Sequence, residues 1–228
     1  LVLFLYSAAG SMVNIGKVQQ AAVLLFARQG FAATGIRELG GAAGINSATI
    51  YHYAGSKEEL LVQVMRSCLD EMITSGAAAM RISAEPTIQL AALVSSHVGF
   101  TATNPLTARV AEYEMRALSP DNRTAMQKLR DDYESLFAQV VERGIRVGDF
   151  STDDATMARL ALMEMGTGVA HWYRPDGRLT LIEVQHNFVA MACKILSANQ
   201  TMLDGIDYIR PPVVVASEPT GISVTFSG

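Results

Sequence analysis

The four histidines, His52, His97, His171 and His186, are the side chains here best suited to acid–base or metal chemistry near neutral pH, and their placement supports neither. They are scattered, and no Ser/His/Asp order, phosphate-binding glycine loop or zinc spacing surrounds them. The carboxylate pairs Asp131-Asp132 and Asp153-Asp154 are explained by a solvated helix face and a helix cap. Cys68 and Cys193 lie far apart without metal-ligand spacing and read as reduced thiols of a cytosolic protein. No catalytic residue, cofactor or metal is expected. A different chemistry is concentrated between Ser47 and His52. Ser47, Ala48 and Thr49 are small enough to let a backbone approach a surface closely. The Thr49 methyl can touch a thymine methyl, and Tyr51 and His52 can reach a base edge or a phosphate.

Those residues need a short helix that is pushed outward. The stretch Ile36–Tyr53 supplies one, as two short helices joined by a tight turn. Ile36, Leu39 and Ala42-Ala43 make the apolar face of the first helix. Gly44 ends it in the left-handed backbone region, Ile45 plugs the space between the helices, and Asn46 caps the second. The second helix is too short and too polar at its start to be a core helix. Presentation to a DNA major groove as the second helix of a helix-turn-helix explains it best.

Around this stretch lie further blocks in fixed order. They are A-A-x-x-L-F-A-x-x-G-F at Ala21–Phe31, T-x-I-R-E-L at Thr34–Leu39, A-A-G-I-N-x-A-T-I-Y-H-Y at Ala42–Tyr53 and S-K-E-E-L-L at Ser56–Leu61. Val18–Leu61 thereby resembles the DNA-binding domain of the TetR family of bacterial transcriptional regulators. The resemblance implies DNA contacts from Thr34, Arg37, Asn46, Ser47, Ala48, Thr49, Tyr51, His52 and Lys57. Thr34 and Lys57 match the family's phosphate contacts, at or just after helix N-termini whose N–H groups also face the anion. Two departures stand out. Ala54 replaces the family's usual aromatic, which predicts a looser turn into the next helix. Gly40-Gly41 lies inside a helix, where each glycine costs about 0.5–1 kcal/mol relative to alanine. The head carries only a small excess of Lys and Arg over Glu, which predicts moderate and salt-dependent affinity.

The net charge of −4 argues against indiscriminate nucleic-acid binding, but a helix-turn-helix needs only a local basic surface. No apolar run reaches the length of a membrane span, so a soluble, cytoplasmic protein is expected. Leu1–Ser11 reads as a segment preceding a native start at Met12.

The rest of the chain reads as all-α, about nine helices in total. Ile15–Gly30 carries Val18, Ala22, Leu25 and Phe26 on one stripe. Thr34 is expected to cap the next helix, and Ser56 caps the long helix that follows the head. Pro86, Asn104-Pro105 and Ser119-Pro120 punctuate the middle, and Ser151-Thr152-Asp153 is expected to cap the helix that follows. That helix, 154–173, is apolar nearly all round through Leu160, Ala161, Leu162, Met163, Met165, Val169 and Trp172. With 180–197 it is the expected dimer interface, in agreement with where the resembled family dimerises. No strand is expected before Val213-Val214-Val215. The predicted organisation is a helix-turn-helix domain over 12–58, a ligand-binding and dimerisation domain over 59–200, and flexible tails at 1–11 and 201–228.

The segment His171–Leu179, together with E-x-R-x-L-S-P at Glu114–Pro120, is similar to a TetR subgroup that responds to acyl-CoA thioesters. This resemblance implies an effector site of Trp172, Tyr173, Arg174, Arg116, Met115, Met163, Met165 and His97. A Trp-Tyr-Arg cluster suits an adenine or phosphate group, and methionines suit a flexible apolar chain. The expectation is a homodimeric repressor on a palindromic double-stranded DNA operator, released by a small apolar effector such as an acyl-CoA, with no membrane partner. Two alternatives remain open on the residues alone: a multidrug-type regulator, and a helical interaction protein that no longer binds DNA.

Overall fold

The computed structural model describes residues 4–6 and 12–198. Its described elements, in chain order, are the strands β1 (Phe4–Tyr6) and β2 (Met12–Asn14), then nine helices. These are α1 (Ile15–Gln29), α2 (Ile36–Ala43), α3 (Ser47–Ala54), α4 (Lys57–Met80), α5 (Pro86–Thr103), α6 (Pro105–Tyr113), α7 (Pro120–Val147), α8 (Ala155–Trp172) and α9 (Leu181–Ile195). A 3-10 turn, Glu114–Ala117, follows α6.

Among the described residues the chain is all-α apart from one hairpin, which the sequence pattern did not reveal. β1 pairs antiparallel with β2, Phe4 opposite Asn14 and Tyr6 opposite Met12. Part of the segment expected as a loose tail is thus a strand, built from aromatic and aliphatic residues of good strand propensity. Val213–Val215 and the tail from 201 lie outside the described residues.

The helices fall into two units. One holds the described residues up to Cys68 together with Leu106–Met126, and the other holds Leu69–Pro105 and the described residues from Gln127 onward. This division differs from a cut after residue 58, because α4 and α7 each begin in the first unit and end in the second.

In the first unit α1 buries the expected stripe of Val18, Ala22, Leu25 and Phe26, to which α2 adds Leu39 and α3 adds Ile50. The face that α4 contributes, Leu60, Leu61, Val64 and Met65, is fully enclosed. The second unit is built around α5, which packs on both α8 and α9. Every residue of α5 from Pro86 to Ala102 is buried except Ile88. The helix enclosed on all sides is therefore α5. α8 buries Ala158, Leu162, Gly166, Val169 and Ala170, and exposes Met157, Leu160 and Trp172. The sequence misdirects here because Ser95, Ser96, His97 and Thr101 give α5 a polar look, although the fold houses them internally. Leu162, expected on the interface, belongs instead to the core of the second unit.

The cap expected at Ser151–Asp153 sits one residue later, where the Asp154 carboxylate accepts the N–H groups of Thr156 (2.9 Å) and Met157 (3.0 Å). α9 opens with a reciprocal cap: Thr180 Oγ1 accepts from the Glu183 N–H, and the Glu183 carboxylate accepts from the Thr180 N–H at 2.7 Å. Among the described residues no helix is long and apolar enough to cross a membrane. Cys68 and Cys193 are both buried thiols.

Candidate nucleic-acid interface and effector residues

The turn between α2 and α3 is built as its residues dictate. Gly44 takes φ +70°, and the N–H groups of Gly44 and Ile45 return to the carbonyls of Gly41 (3.2 Å) and Gly40 (2.9 Å). Asn46 caps α3 by accepting the Thr49 N–H at 2.8 Å and the Thr49 hydroxyl at 3.0 Å. The glycine pair that looked unfavourable has a steric reason at one of its positions. A methyl group at Gly40 would lie 2.7 Å from the Ile45 carbonyl oxygen, so glycine is what lets α2 close onto the turn; Gly41 faces open space.

With the turn fixed, α3 has two faces. Ile50 and Ala54 are buried, and Tyr53 is half-buried with its phenol pushed up by desolvation. Ala48, Tyr51 and His52 are exposed, Tyr51 at 51%, and Ser47 and Thr49 border them at the helix start. No acidic residue stands in its first turn. The exposed face combines small residues, an aromatic hydroxyl and an imidazole beside the helix N-terminus, and so it can accept a phosphate and read base edges. Arg37 and Asn46 are also exposed. Ala54, buried at the end of α3, is followed by Gly55 at φ +73°, whose N–H reaches the Tyr51 carbonyl at 2.8 Å, so the turn there is closed.

Two expected phosphate contacts are engaged inside the head. Thr34 is not the cap of α2; Gly35 is, and its N–H meets the Glu38 carboxylate at 3.4 Å. The Thr34 side chain is buried, and its hydroxyl donates to the Gly30 carbonyl at 2.8 Å. Lys57 donates to the carbonyls of Phe31 and Thr34, both at 2.8 Å, and its ammonium lies 4.2 Å from the Phe31 ring centre. Its first task is to fasten the loop between α1 and α2 to the start of α4.

The expected effector residues fall in both units. Met115 and Arg116 sit in the 3-10 turn of the first unit, and the other six belong to the second. His97 is 2% exposed in the core. Its Nε2 lies 3.1 Å from the Met163 carbonyl, which can only accept, so Nε2 carries the proton and Nδ1 accepts from the Tyr133 hydroxyl at 3.0 Å. Burial drives the imidazole down to about 4, opposed only in part by the bond to Met163. Met163 and Met165 are half-buried against the same core. At the end of α8, Trp172 is half-exposed and stacks on Phe188 at 6.2 Å, while Arg174 turns back to the Tyr173 carbonyl at 2.8 Å.

Comparison with known proteins decides the family. Residues 19–64 match the model described as bacterial regulatory proteins, tetR family, and residues 83–196 match that of the tetracyclin repressor-like C-terminal domain. This chain belongs to the TetR family. It is therefore a ligand-responsive DNA-binding regulator and not an enzyme. The chain is 29% identical over 174 residues to the HTH-type transcriptional repressor KstR2 of Rhodococcus jostii, covering 75% of this chain and 84% of that one. A tetR-family regulatory protein from Rhodococcus RHA1 superimposes with a TM-score of 0.76 at 25% identity, over 81% of this chain and 97% of its own. AibR, solved in complex with isovaleryl coenzyme A and operator DNA, shares the fold at a TM-score of 0.69 and 20% identity, over 76% of this chain and 95% of its own.

For a TetR-family head, the outward face of α3 is the part most legible in sequence, because capping and glycine signals are local. The Lys57 clamp and two carboxylates, Glu58 and Glu114, escaped notice. Glu58 accepts the Ser119 N–H at 2.8 Å and the Asn122 amide at 2.7 Å, and these bonds hold its carboxyl below the ordinary range. Glu114 accepts the Phe31 N–H at 3.2 Å. Partners separated by 61 to 83 positions leave no periodic trace in a sequence.

Proposed function

We propose that the protein is a homodimeric repressor that binds a palindromic operator through α3 and leaves it when an acyl-CoA, or a related apolar thioester, binds the body. One observation carries the DNA half: a capped, eight-residue α3 presents Ala48, Tyr51 and His52 outward while Ile50 and Ala54 anchor it from behind. Ser47 and Thr49 flank the contact, Arg37 and Asn46 lie at its edges, and Lys57 supports it by holding the adjoining loop. A single α3 spans only a few base pairs, so two copies on neighbouring turns of the duplex are needed for specificity.

The dimer reading rests on apolar surface left exposed by α8 and α9. Met157, Leu160 and Trp172 on α8 and Ile182 and Met191 on α9 are all large and exposed. Exposed apolar side chains of this size on both helices fit a subunit contact, and these are the two helices that the sequence analysis expects at the dimer interface.

Support for the effector class comes from AibR, which binds isovaleryl coenzyme A, and from the Trp172-Tyr173-Arg174 run, whose indole and guanidinium suit an adenine and a phosphate. The half-buried Met163 and Met165 offer adaptable apolar surface for an acyl chain. His97 serves this reading as the polar pin that holds α5, α7 and α8 together. The test is fluorescence anisotropy of the operator complex titrated with free fatty acid, acyl-CoA and free CoA. Release by acyl-CoA alone is the expected result. Release by unrelated apolar drugs with no response to acyl-CoA would replace the thioester class with a multidrug type.

A further inference from the structure

The strongest unassigned feature of the first unit is a closed circuit of hydrogen bonds between the DNA-binding head and the segment Glu114–Asn122. Phe31, in the loop after α1, is gripped from two sides. Its N–H donates to Glu114 Oε1 at 3.2 Å, while its carbonyl accepts Lys57 Nζ at 2.8 Å. The residue after Lys57 closes the circuit. Glu58 Oε1 accepts the Ser119 N–H at 2.8 Å and Asn122 Nδ2 at 2.7 Å, at the N-terminus of α7. A carboxylate there also meets the positive end of a 28-residue helix. Glu114 is 7% exposed and is thus a buried acid committed to this contact.

The circuit reaches the recognition helix through few steps. Lys57 also holds the Thr34 carbonyl at 2.8 Å, next to the first turn of α2. α2 in turn closes onto the start of α3 at Gly40, where no side chain fits. A shift of the α7 N-terminus must either break the Glu58 bonds or carry α4, the Phe31 loop and α2 with it. We propose that Glu58 and Glu114 are positioning residues for DNA binding: they latch the Glu114–Asn122 segment to the head and so set the pose of α3. This inference rests on the DNA-binding reading above. It gives the E-x-R-x-L-S-P stretch a role in holding the head, where the sequence resemblance had suggested effector contact. Arg123 reinforces the latch by donating to the carbonyls of Arg116 (3.2 Å) and Leu118 (3.1 Å) within the same segment.

The test uses the full-length protein and a duplex selected from a random library by the unmodified protein. Glu58→Ala and Glu114→Ala should each weaken binding about tenfold, the loss expected from one charge-assisted bond. Glu58→Gln and Glu114→Gln retain an acceptor oxygen and should stay within about twofold of the parent. Because the two carboxylates act on one element, the double alanine variant should lose clearly less than the product of the single losses. Site-resolved amide exchange on the unmodified protein keeps the inference testable if an alanine variant fails to fold. The Phe31 and Ser119 amides should slow together when the duplex is added. Unchanged exchange at both amides, multiplicative losses, or losses that merely track thermal unfolding would overturn the latch. Failure of the unmodified protein to select any duplex would overturn the DNA-binding reading beneath it.

Discussion

Tyr51 and Gly40 show how differently single residues serve this molecule. Tyr51 is exposed on α3 with no structural duty that its exposure reveals, so Tyr51→Ala should cost operator affinity at least about tenfold while changing the unfolding free energy by no more than about 0.5 kcal/mol. Gly40 is the reverse. A methyl there meets the Ile45 carbonyl oxygen at 2.7 Å, so Gly40→Ala should destabilise the head by about 1–3 kcal/mol. Its neighbour faces open space, and Gly41→Ala should be neutral or stabilising by up to about 1 kcal/mol. Urea unfolding of the two variants side by side checks the contrast, and equal effects would contradict the close approach. The sequence announced two glycines in a helix but not which one was required, because the reason is a contact with the following turn. Asn46 and Gly44 were readable since their partners lie within four positions. Thr34 was misread as a cap because its hydroxyl turns backward to Gly30.

At the scale of elements, α5 decides the stability of the second unit, and His97 makes that stability depend on pH. The neutral imidazole joins α5 to α7 through Tyr133 and to α8 through Met163, and its folded value near 4 lies below the ordinary 6.5. The contribution is therefore fully present above pH 6.5. It is lost progressively as the pH falls toward 4, where the unfolded chain takes up a proton that the native state refuses. The loss across that window is about 3 kcal/mol at most. Glu58 and Glu183 are both held below their usual range, so they lose stability with falling pH in the same direction but at lower pH. Chemical denaturation from pH 7 to 4.5 should show a slope that His97→Gln abolishes; an unchanged slope would remove His97 from the account. Gly166 adds to this joint, since a methyl there would lie 2.1 Å from His97 Cδ2, and α8 can approach α5 only at a glycine. Helix boundaries were legible from Pro86 and Asn104-Pro105. The enclosure of α5 was not, because hydrophobic periodicity discounts polar residues that are satisfied from other helices, as when Thr101 donates to the Gly166 carbonyl at 3.0 Å.

On the scale of the whole molecule, assembly and DNA reading stand together. A charge placed at an exposed apolar position of α8 or α9 tests assembly better than one at buried Leu162. Ile182→Glu, at a position 62% exposed, should give a folded monomer by light scattering and a loss of operator affinity of at least about a hundredfold, because one head alone spans too few base pairs. A variant that remains dimeric would move the interface elsewhere. The family and the outward face of α3 could be read from blocks of sequence within the head. The expected effector residues come from distant positions in the sequence and belong to both units, so no local signal links them.

Selection from a random duplex library, followed by anisotropy on the enriched sequence, measures whether α3 reads DNA as one of a symmetric pair. The expected product is an inverted repeat with half-sites about one helical turn apart, bound by one dimer or more, with binding lost when Tyr51 becomes alanine. Enrichment of no repeat at low salt, or binding that survives Tyr51→Ala unchanged, would contradict it.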